Sequence, residues 1–305
     1  MKQHARLLRG VDSETVPLIR LLRVELTAVH QQFVHFLALK KWGLGDTADR
    51  IMEVDRVDFP TAMAIIDHLV ASGKPVVLDH EHFEPGASEL EILFSEQAVE
   101  RRMVAVIDDA TCRDEVAKRL ILAAGMPRDA YAIWLEQQIG ARECQKSQIH
   151  PSALCLADVF SHLIATIEQA MVHAFVHWHA GNAGRADAAW ATSGAAMMHA
   201  TKLVQTLAPL GAVPVLGAVV ERQIAAQSDD ALVLDRHLAG QCAHCAADAA
   251  DHADGELGPI CQQIADYSLE LAKWNFGEPH PATASNPPAF GSFEATLKRF
   301  VRSAS

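Results

Sequence analysis

Apolar residues recur at spacings of three and four along most of the chain, in long segments bounded by Gly or Pro. That spacing places apolar side chains on one face of an α-helix, and the alternation typical of strands is scarce. The pattern therefore predicts an all-α protein. Its eight long helices are expected near residues 15–41, 46–72, 88–109, 113–139, 156–179, 186–208, 229–251 and 259–274.

The second four predicted helices repeat the first four in order. Glu25 matches Glu168 and His30 matches His173, and the two pairs are separated by the same number of residues, since 168 − 25 and 173 − 30 both equal 143. A long irregular stretch follows the second helix of each set, where an up-and-down bundle needs only a short turn. Long crossovers at that point are typical of ferritin-like four-helix bundles. The crossovers are expected at residues 73–87 and 209–228.

The repeat divides the chain into two bundles and a tail. Residues 1–149 are expected to form the first four-helix bundle and residues 150–279 a second, divergent one. Residues 280–305 begin with a Pro- and Ser-rich stretch, which predicts an extended spacer. The tail ends in apolar residues at helical spacing, interleaved with Lys and Arg, which predicts a short amphipathic helix.

Charge and composition narrow the setting of the protein. The 305 residues include 26 basic and 38 acidic ones, a net charge of −12, which argues against nucleic acid or an anionic membrane surface as partner. No apolar run of about 20 residues lacks polar breaks, and the N-terminus has no long apolar run, so a cytoplasmic protein without a membrane span is expected. The six scattered cysteines predict reduced thiols.

One carboxylate interrupts the apolar stripe of the first helix. Glu25 lies there together with His30 and His35. A charge that faces a bundle core is costly unless an opposite charge pairs with it or a metal binds it. Glu25 is therefore a candidate ligand or half of a buried ion pair.

Three segments resemble bacterioferritins. PLIRLLRVELTAVHQQFVHFLALKKWGLGDTADRI, residues 17–51, is similar to their first helix and turn. Residues 67–75 resemble the end of their second helix, and residues 131–139 resemble their fourth. The resemblance implies ferritin-like bundles, an iron-oxidising di-iron site inside each bundle and haem bound by methionine between paired bundles.

The first half departs from the family's ligand set. A di-iron site of this class takes one Glu from each of two helices and Glu-x-x-His from each of the other two. The resemblance places Glu25 and Glu100 at the single-Glu positions. It places Val57 and Pro60, and then Arg128 and Tyr131, at the two Glu-x-x-His positions. Three interpretations stay open: Arg128 neutralises Glu25 or Glu100, an unusual or mononuclear metal site survives, or a di-iron site works.

The resemblance places His199 at a family position of the second half and either Glu168 or, if the repeat slips by one residue, Ile167 at another. The remaining positions hold Ala196, Gln241, Ile264 and Tyr267. His173 and His177 are four residues apart, which places two candidate metal ligands on one helical face. Glu168, His173, His177 and His199 could thus form a rearranged metal site. CAHC at 242–245 is a weaker candidate, and buried packing explains it equally well.

Met197 falls where the family has its haem-binding methionine, while Asp58 falls there in the first half. His30 and His173 border that position, so a Met/His or His/His axial pair is one hypothesis. The alternative is that the methionines pack a helix interface.

Three functions follow from these features. The first is a bacterioferritin-like protein that handles iron or haem b with a degenerate ferroxidase site. The second is an oxidoreductase with a rearranged His-rich site for iron, haem or another transition metal, and the third is a non-catalytic assembly subunit. A homo-oligomer or a cage-associated protein is expected, with the C-terminal helix docked on its own bundle, a neighbouring bundle or a partner groove.

Overall fold

The structure is a computed structural model, and it describes most of the chain. The described residues are 11–78, 85–125, 128–141, 156–210, 214, 220, 222–253, 255–278, 280–281 and 292–303, without the side chains of 299–303. Their regular secondary structure is helical, with no strand among them. The predicted all-α class is confirmed.

Ten α-helices lie in the described part of the chain, and all eight predicted helices are present. Their ends differ from the predicted ends by about three residues or fewer, apart from one break. The fourth predicted helix is two helices, because one ends at Gly125 and the next begins at Arg128, directly after Pro127 in the sequence. Proline cannot donate the helical hydrogen bond, so a break there is expected. The bounds are α1 Val16–Lys41, α2 Gly45–Ala71, α3 Glu89–Asp108, α4 Glu115–Gly125, α5 Arg128–Gly140, α6 Ala157–His179, α7 Ala183–Leu207, α8 Ser228–His252, α9 Leu257–Lys273 and α10 Phe293–Ser303.

The chain separates into two compact units. The first unit comprises Met1–Phe36, Gly45–Lys146 and Phe300–Ser305, and the second comprises Leu37–Leu44 and Ser147–Arg299. The C-terminal end of α1 thus belongs to the second unit. There the indole N–H of Trp42 donates to the carbonyl of Ala208 at 2.9 Å.

Each unit has an apolar interior of its own. Fully buried aliphatic side chains of α1, α2 and α3 in the first unit include Leu22, Ile51 and Leu93. In the second unit, 19 of the 23 residues of α6 are buried, which makes α6 the central helix of that unit. Within the described residues, α6 is also the one helix long and apolar enough to cross a membrane, and 94% of that window is buried in the structure. A central core helix has the same composition.

The C-terminal helix docks on the second unit through its first residue. The Phe293 side chain is fully buried, and its ring lies 4.9 Å from that of Phe175 and 5.6 Å from that of Trp190. Its backbone N–H donates to Asp187 at 2.8 Å. The start of α10 therefore packs against the second unit. The predicted spacer begins at residue 280, and only His280 and Pro281 of it are described, since residues 282–291 lie outside the described residues.

Candidate functional site

A buried arginine occupies the centre of the first unit. Arg128, the first residue of α5, is 2% exposed. Its Nη1 donates to Glu100 at 2.6 Å and its Nη2 donates to Asp58 at 2.6 Å. Nη2 also lies 3.4 Å from Glu25, and Nε donates to the carbonyl of Ala124 at 2.9 Å. One guanidinium therefore contacts carboxylates from α1, α2 and α3, and the expected pairing of Arg128 with Glu25 or Glu100 is present with both.

Asp58 of α2 belongs to this cluster. The resemblance places Val57 at the ligand position of the second helix and Asp58 at the position of the haem-binding methionine, and in the structure Asp58 is fully buried and pairs with Arg128. One residue turns a helical side chain by about 100°, so Val57 and Asp58 lie on different faces of the helix. Pro60 lies inside α2, and the helix continues through it.

A second layer of buried polar groups adjoins the arginine. Glu96 accepts hydrogen bonds from the Tyr131 hydroxyl at 3.0 Å and from the ring of His35, whose Nδ1 lies 2.6 Å away. The Gln32 amide donates to Asp58 at 3.0 Å. Sequence reasoning missed Glu96 as a site residue, although it lies four positions before Glu100 on the same face of α3.

The cluster has more carboxylates than cations, which raises their proton affinity. Burial raises the pKa of Glu25 well above its usual value, and nearby Asp58 raises it further. Burial also raises the pKa of Glu100 and of Asp55 to about 7, although Arg128 opposes the shift at Glu100. Within the described chain, buried Oδ1 of Asp55 and Oε2 of Glu100 have no hydrogen-bond partner. The site can hold protons as well as charge.

An arginine also neutralises the corresponding carboxylate of the second unit. Nε of Arg222 donates to Glu168 at 2.7 Å, and both side chains are almost completely buried. Arg222 lies between α7 and α8, in the irregular stretch predicted at 209–228. No periodic pattern marks a residue in such a segment, so this pair could not be predicted from the sequence.

The two histidines of α6 are fixed by hydrogen bonds within the second unit. The backbone N–H of Ala225 donates to Nε2 of His173 at 3.0 Å, so the ring carries its proton on Nδ1, which lies 2.7 Å from Asp235. The Nδ1 atom of His177 is 2.7 Å from the Ser228 hydroxyl. Burial lowers the pKa of His177 to about 4. Both nitrogens of His173 thus already have partners.

His199 lies apart from these contacts and faces Tyr267. The two ring centroids are 5.0 Å apart, and burial lowers the pKa of His199 to about 4. Nδ1 of His199 and the Tyr267 hydroxyl are buried without a hydrogen-bond partner among the described residues. The structure brings together the two residues that the resemblance assigns to the histidine positions of the second and fourth helices.

The described residues contain no group of three or more His, Cys, Asp or Glu side chains placed to hold a metal ion. Glu25, Asp58 and Glu100 of the first unit are instead arranged around Arg128. In the second unit Glu168 and His173 each have another partner. Cys242 and Cys245 of the CAHC segment are free thiols, and burial raises the pKa of Cys242 to about 12.

Met197 is half-buried on α7, and His30 is buried on α1. Haem binding by Met197 with His30 or His173 stays a prediction.

Comparison with known protein families, curated proteins and solved structures found no match to this chain.

Proposed function

We propose that this protein is a tandem bacterioferritin-like subunit in which internal ion pairs have replaced the ferroxidase. Its role is that of a non-catalytic binding or assembly subunit in cytoplasmic iron or haem handling. The proposal includes two ferritin-like four-helix bundles with long crossovers and assembly into a homo-oligomer or a cage. The observation that carries it is Arg128 among Glu25, Asp58 and Glu100.

The chemistry of the guanidinium supports this role. A di-iron site needs carboxylates because they neutralise two cations that change oxidation state. Arg128 supplies fixed positive charge to such carboxylates, cannot be deprotonated in practice and has no redox chemistry. Arg222 on Glu168 repeats the arrangement in the second unit.

Metal content and iron oxidation test the proposal directly. The full chain, produced in iron-supplemented cells, should carry far less iron than one atom per chain and should oxidise Fe²⁺ no faster than buffer does. The matched variant Arg128→Glu with Tyr131→His restores a Glu-x-x-His pair on α5 and should raise iron binding. Stoichiometric iron or rapid oxidation in the unmodified protein would refute the proposal.

The absorption spectrum of the same sample tests the haem prediction. Haem bound through Met197 gives a Soret band that Met197→Leu, which preserves volume, shifts or removes at a stability cost below about 1.5 kcal/mol. A Soret band that this substitution leaves unchanged excludes Met197 as the ligand.

A further inference from the structure

A short segment before α8 is held against α6 by side chains of that helix. This segment, residues 222–228, is named the strap, and its residues 222–227 lie outside the helices. The backbone N–H of Gln223 donates to Oε1 of Gln169 at 2.9 Å. The backbone N–H of Ala225 donates to Nε2 of His173 at 3.0 Å. Buried backbone groups need such partners, and here the side chains of a helix supply them.

Both ends of the strap are attached to α6 as well. At the first end, Nε of Arg222 donates to Glu168 at 2.7 Å. At the other end, the Ser228 hydroxyl lies 2.7 Å from Nδ1 of His177. The Asn182 amide donates to the Ser228 oxygen at 2.9 Å, so the hydroxyl donates its own proton to His177. The strap is therefore fixed to α6 at its ends and in its middle.

One carboxylate of α8 orients both acceptors in the middle of the strap. Oδ1 of Asp235 accepts from the Gln169 amide nitrogen at 3.0 Å and lies 2.7 Å from Nδ1 of His173. The His173 proton is therefore on Nδ1, and the Gln169 amide nitrogen faces Asp235. This arrangement leaves Nε2 of the ring and Oε1 of the amide for the strap. Asp235 is thus a positioning residue, because it acts on the strap through Gln169 and His173.

The contact between Ala225 and His173 requires a neutral imidazole. A protonated ring carries N–H groups on both nitrogens. It would still donate from Nδ1 to Asp235, but its Nε2–H would face the N–H of Ala225, so that two donors oppose each other. The Gln169 amide does not titrate, and its contact with the strap survives. Acid therefore acts on the strap at Ala225.

The second histidine of this face responds to acid later. Burial, more than any neighbouring charge, lowers the pKa of His177 to about 4. This ring therefore stays neutral and keeps Ser228 attached when the pH falls to about 5. The charged groups near the two histidines are Asp229 and Asp235 on α8, Arg185 on α7, Glu168 on α6 and Arg222 in the strap.

We propose that His173 and Asp235 form a proton-operated latch for the strap. Neutral His173 holds Ala225 against α6, and a proton on Nε2 releases the middle of the strap while its two ends stay attached. Histidine changes its charge between about pH 5 and pH 8, so the strap is held at neutral pH and loosens as the pH falls. Loosening exposes Gln169 and His173, which are at most 1% exposed, to water. The latch lies wholly in the second unit and does not depend on the role of Arg128.

Hydrogen exchange of the full-length protein at about pH 7.5 and about pH 5 tests the latch. Each amide rate is divided by its intrinsic rate at the same pH, which gives a protection factor. The protection of Ala225 should fall about tenfold or more at the lower pH, because its N–H loses its acceptor. Amides of α9 should keep their protection. Equal protection of Ala225 at both pH values, or an equal loss in α9, would overturn the proposal.

Two histidine variants identify the group that takes up the proton. His173→Gln places an amide oxygen near the position of Nε2 and cannot titrate, so Ala225 should stay protected at both pH values. His237→Gln changes an exposed histidine of α8 and should leave the pH dependence as it is in the parent protein. If His173→Gln loses protection in acid as the parent does, or if His237→Gln abolishes the pH dependence, His173 does not operate the latch.

Asp235→Ala tests the positioning role separately, at neutral pH. Without Asp235 both acceptors lose their orientation, so the protection of Gln223 and of Ala225 should fall together by about tenfold or more. The pH dependence at Ala225 should shrink at the same time, because its acceptor is no longer held in place. Unchanged protection of both amides would contradict the assignment of Asp235, even if His173→Gln folds poorly.

Discussion

A single guanidinium joins three helices of the first unit through buried carboxylates. Arg128 and its three acidic partners are at most 3% exposed as side chains. Buried ion pairs are often no more stabilising than apolar residues of the same volume, because removing charges from water is costly. Removal of one partner is different, since it leaves the other charges buried and unpaired. Arg128 is therefore expected to matter for stability as well as for the absence of iron.

Arg128→Met should lower the free energy of unfolding at neutral pH by about 3–5 kcal/mol. The loss should shrink in acid, because the stranded carboxylates can then be protonated. Urea unfolding measured at neutral and at acid pH checks this prediction. Arg119→Met, on the exposed side of α4, serves as the control. That control should change stability by about 0.5 kcal/mol or less. Arg128→Met behaving like the control would show that the cluster does not depend on its cation.

Asp55 gives the first unit a pH-dependent stability. Its pKa is about 7 in the folded state against 3.8 ordinarily, because burial and neighbouring Asp58 and Glu96 disfavour its charge. A raised acid pKa stabilises folding fully below the unfolded value, and that stabilisation is lost as pH rises through the folded value. Asp55→Asn should therefore raise the free energy of unfolding at about pH 8 by about 1–3 kcal/mol and change little at about pH 4.

Denaturant unfolding across that pH range measures the effect of Asp55→Asn. Glu53→Gln changes an exposed residue on the same helix and serves as the control. Its free energy of unfolding should change between about pH 5 and pH 8 by the same amount as in the parent protein, to within about 0.5 kcal/mol. If Asp55→Asn and the parent protein lose stability in parallel as pH rises, Asp55 does not carry a raised pKa.

At the scale of helices, periodicity predicted the elements but not every side-chain direction. Apolar spacing located the helices because their buried faces are long and regular. Apolar spacing did not reveal Asp58 as a partner of Arg128, since a one-residue change of register is too small to disturb an apolar stripe but turns a polar side chain to another face. Glu25 and Arg128 were predictable as a pair because Glu25 interrupts an apolar stripe and the resemblance places Arg128 at a ligand position of the same bundle. Arg222 was not, because it lies in a segment without a period.

The first turn of α10 is held in place by one aromatic side chain, that of Phe293. Phe293 lies among Phe175, Trp178 and Trp190, and the remainder of so short a helix is marginal in water. Phe293→Ala should release α10 and lower the free energy of unfolding of the second unit by at most about 3–5 kcal/mol. The loss is smaller if neighbouring side chains fill the space that the ring leaves. Hydrogen exchange should show lost protection in α10 but retained protection in α8.

Lys298→Ala provides the comparison for Phe293→Ala. Lys298 is an exposed side chain of the same helix that pairs with Glu294. Its removal should leave α10 protected, because an exposed pair within one helix contributes only about 0.3–0.5 kcal/mol. Protection of α10 that survives Phe293→Ala would show that other residues hold the helix.

At the scale of the whole molecule, each unit has its own core and its own buried ion pair. Arg128 serves the first unit, and Arg222 with Glu168 serves the second. α1 contributes residues to both units, with Val16–Phe36 in the first and Leu37–Lys41 in the second. Local stability in proteins follows such compact groups of contacts. Breaking one ion pair should therefore weaken one unit more than the other.

Hydrogen exchange of two matched variants tests that division. Arg128→Met should reduce amide protection in α2, α3 and α5 but leave it unchanged in α7 to α9. Arg222→Met leaves Glu168 unpaired, so it should reduce amide protection in α6 and α8 but leave it unchanged in α3 and α5. The reason is that each substitution leaves unpaired carboxylate charge inside one core only. Peptides from the end of α1 should follow Arg222→Met. If either variant lowers protection equally throughout α2 to α9, the two units unfold as one and the division has no energetic meaning.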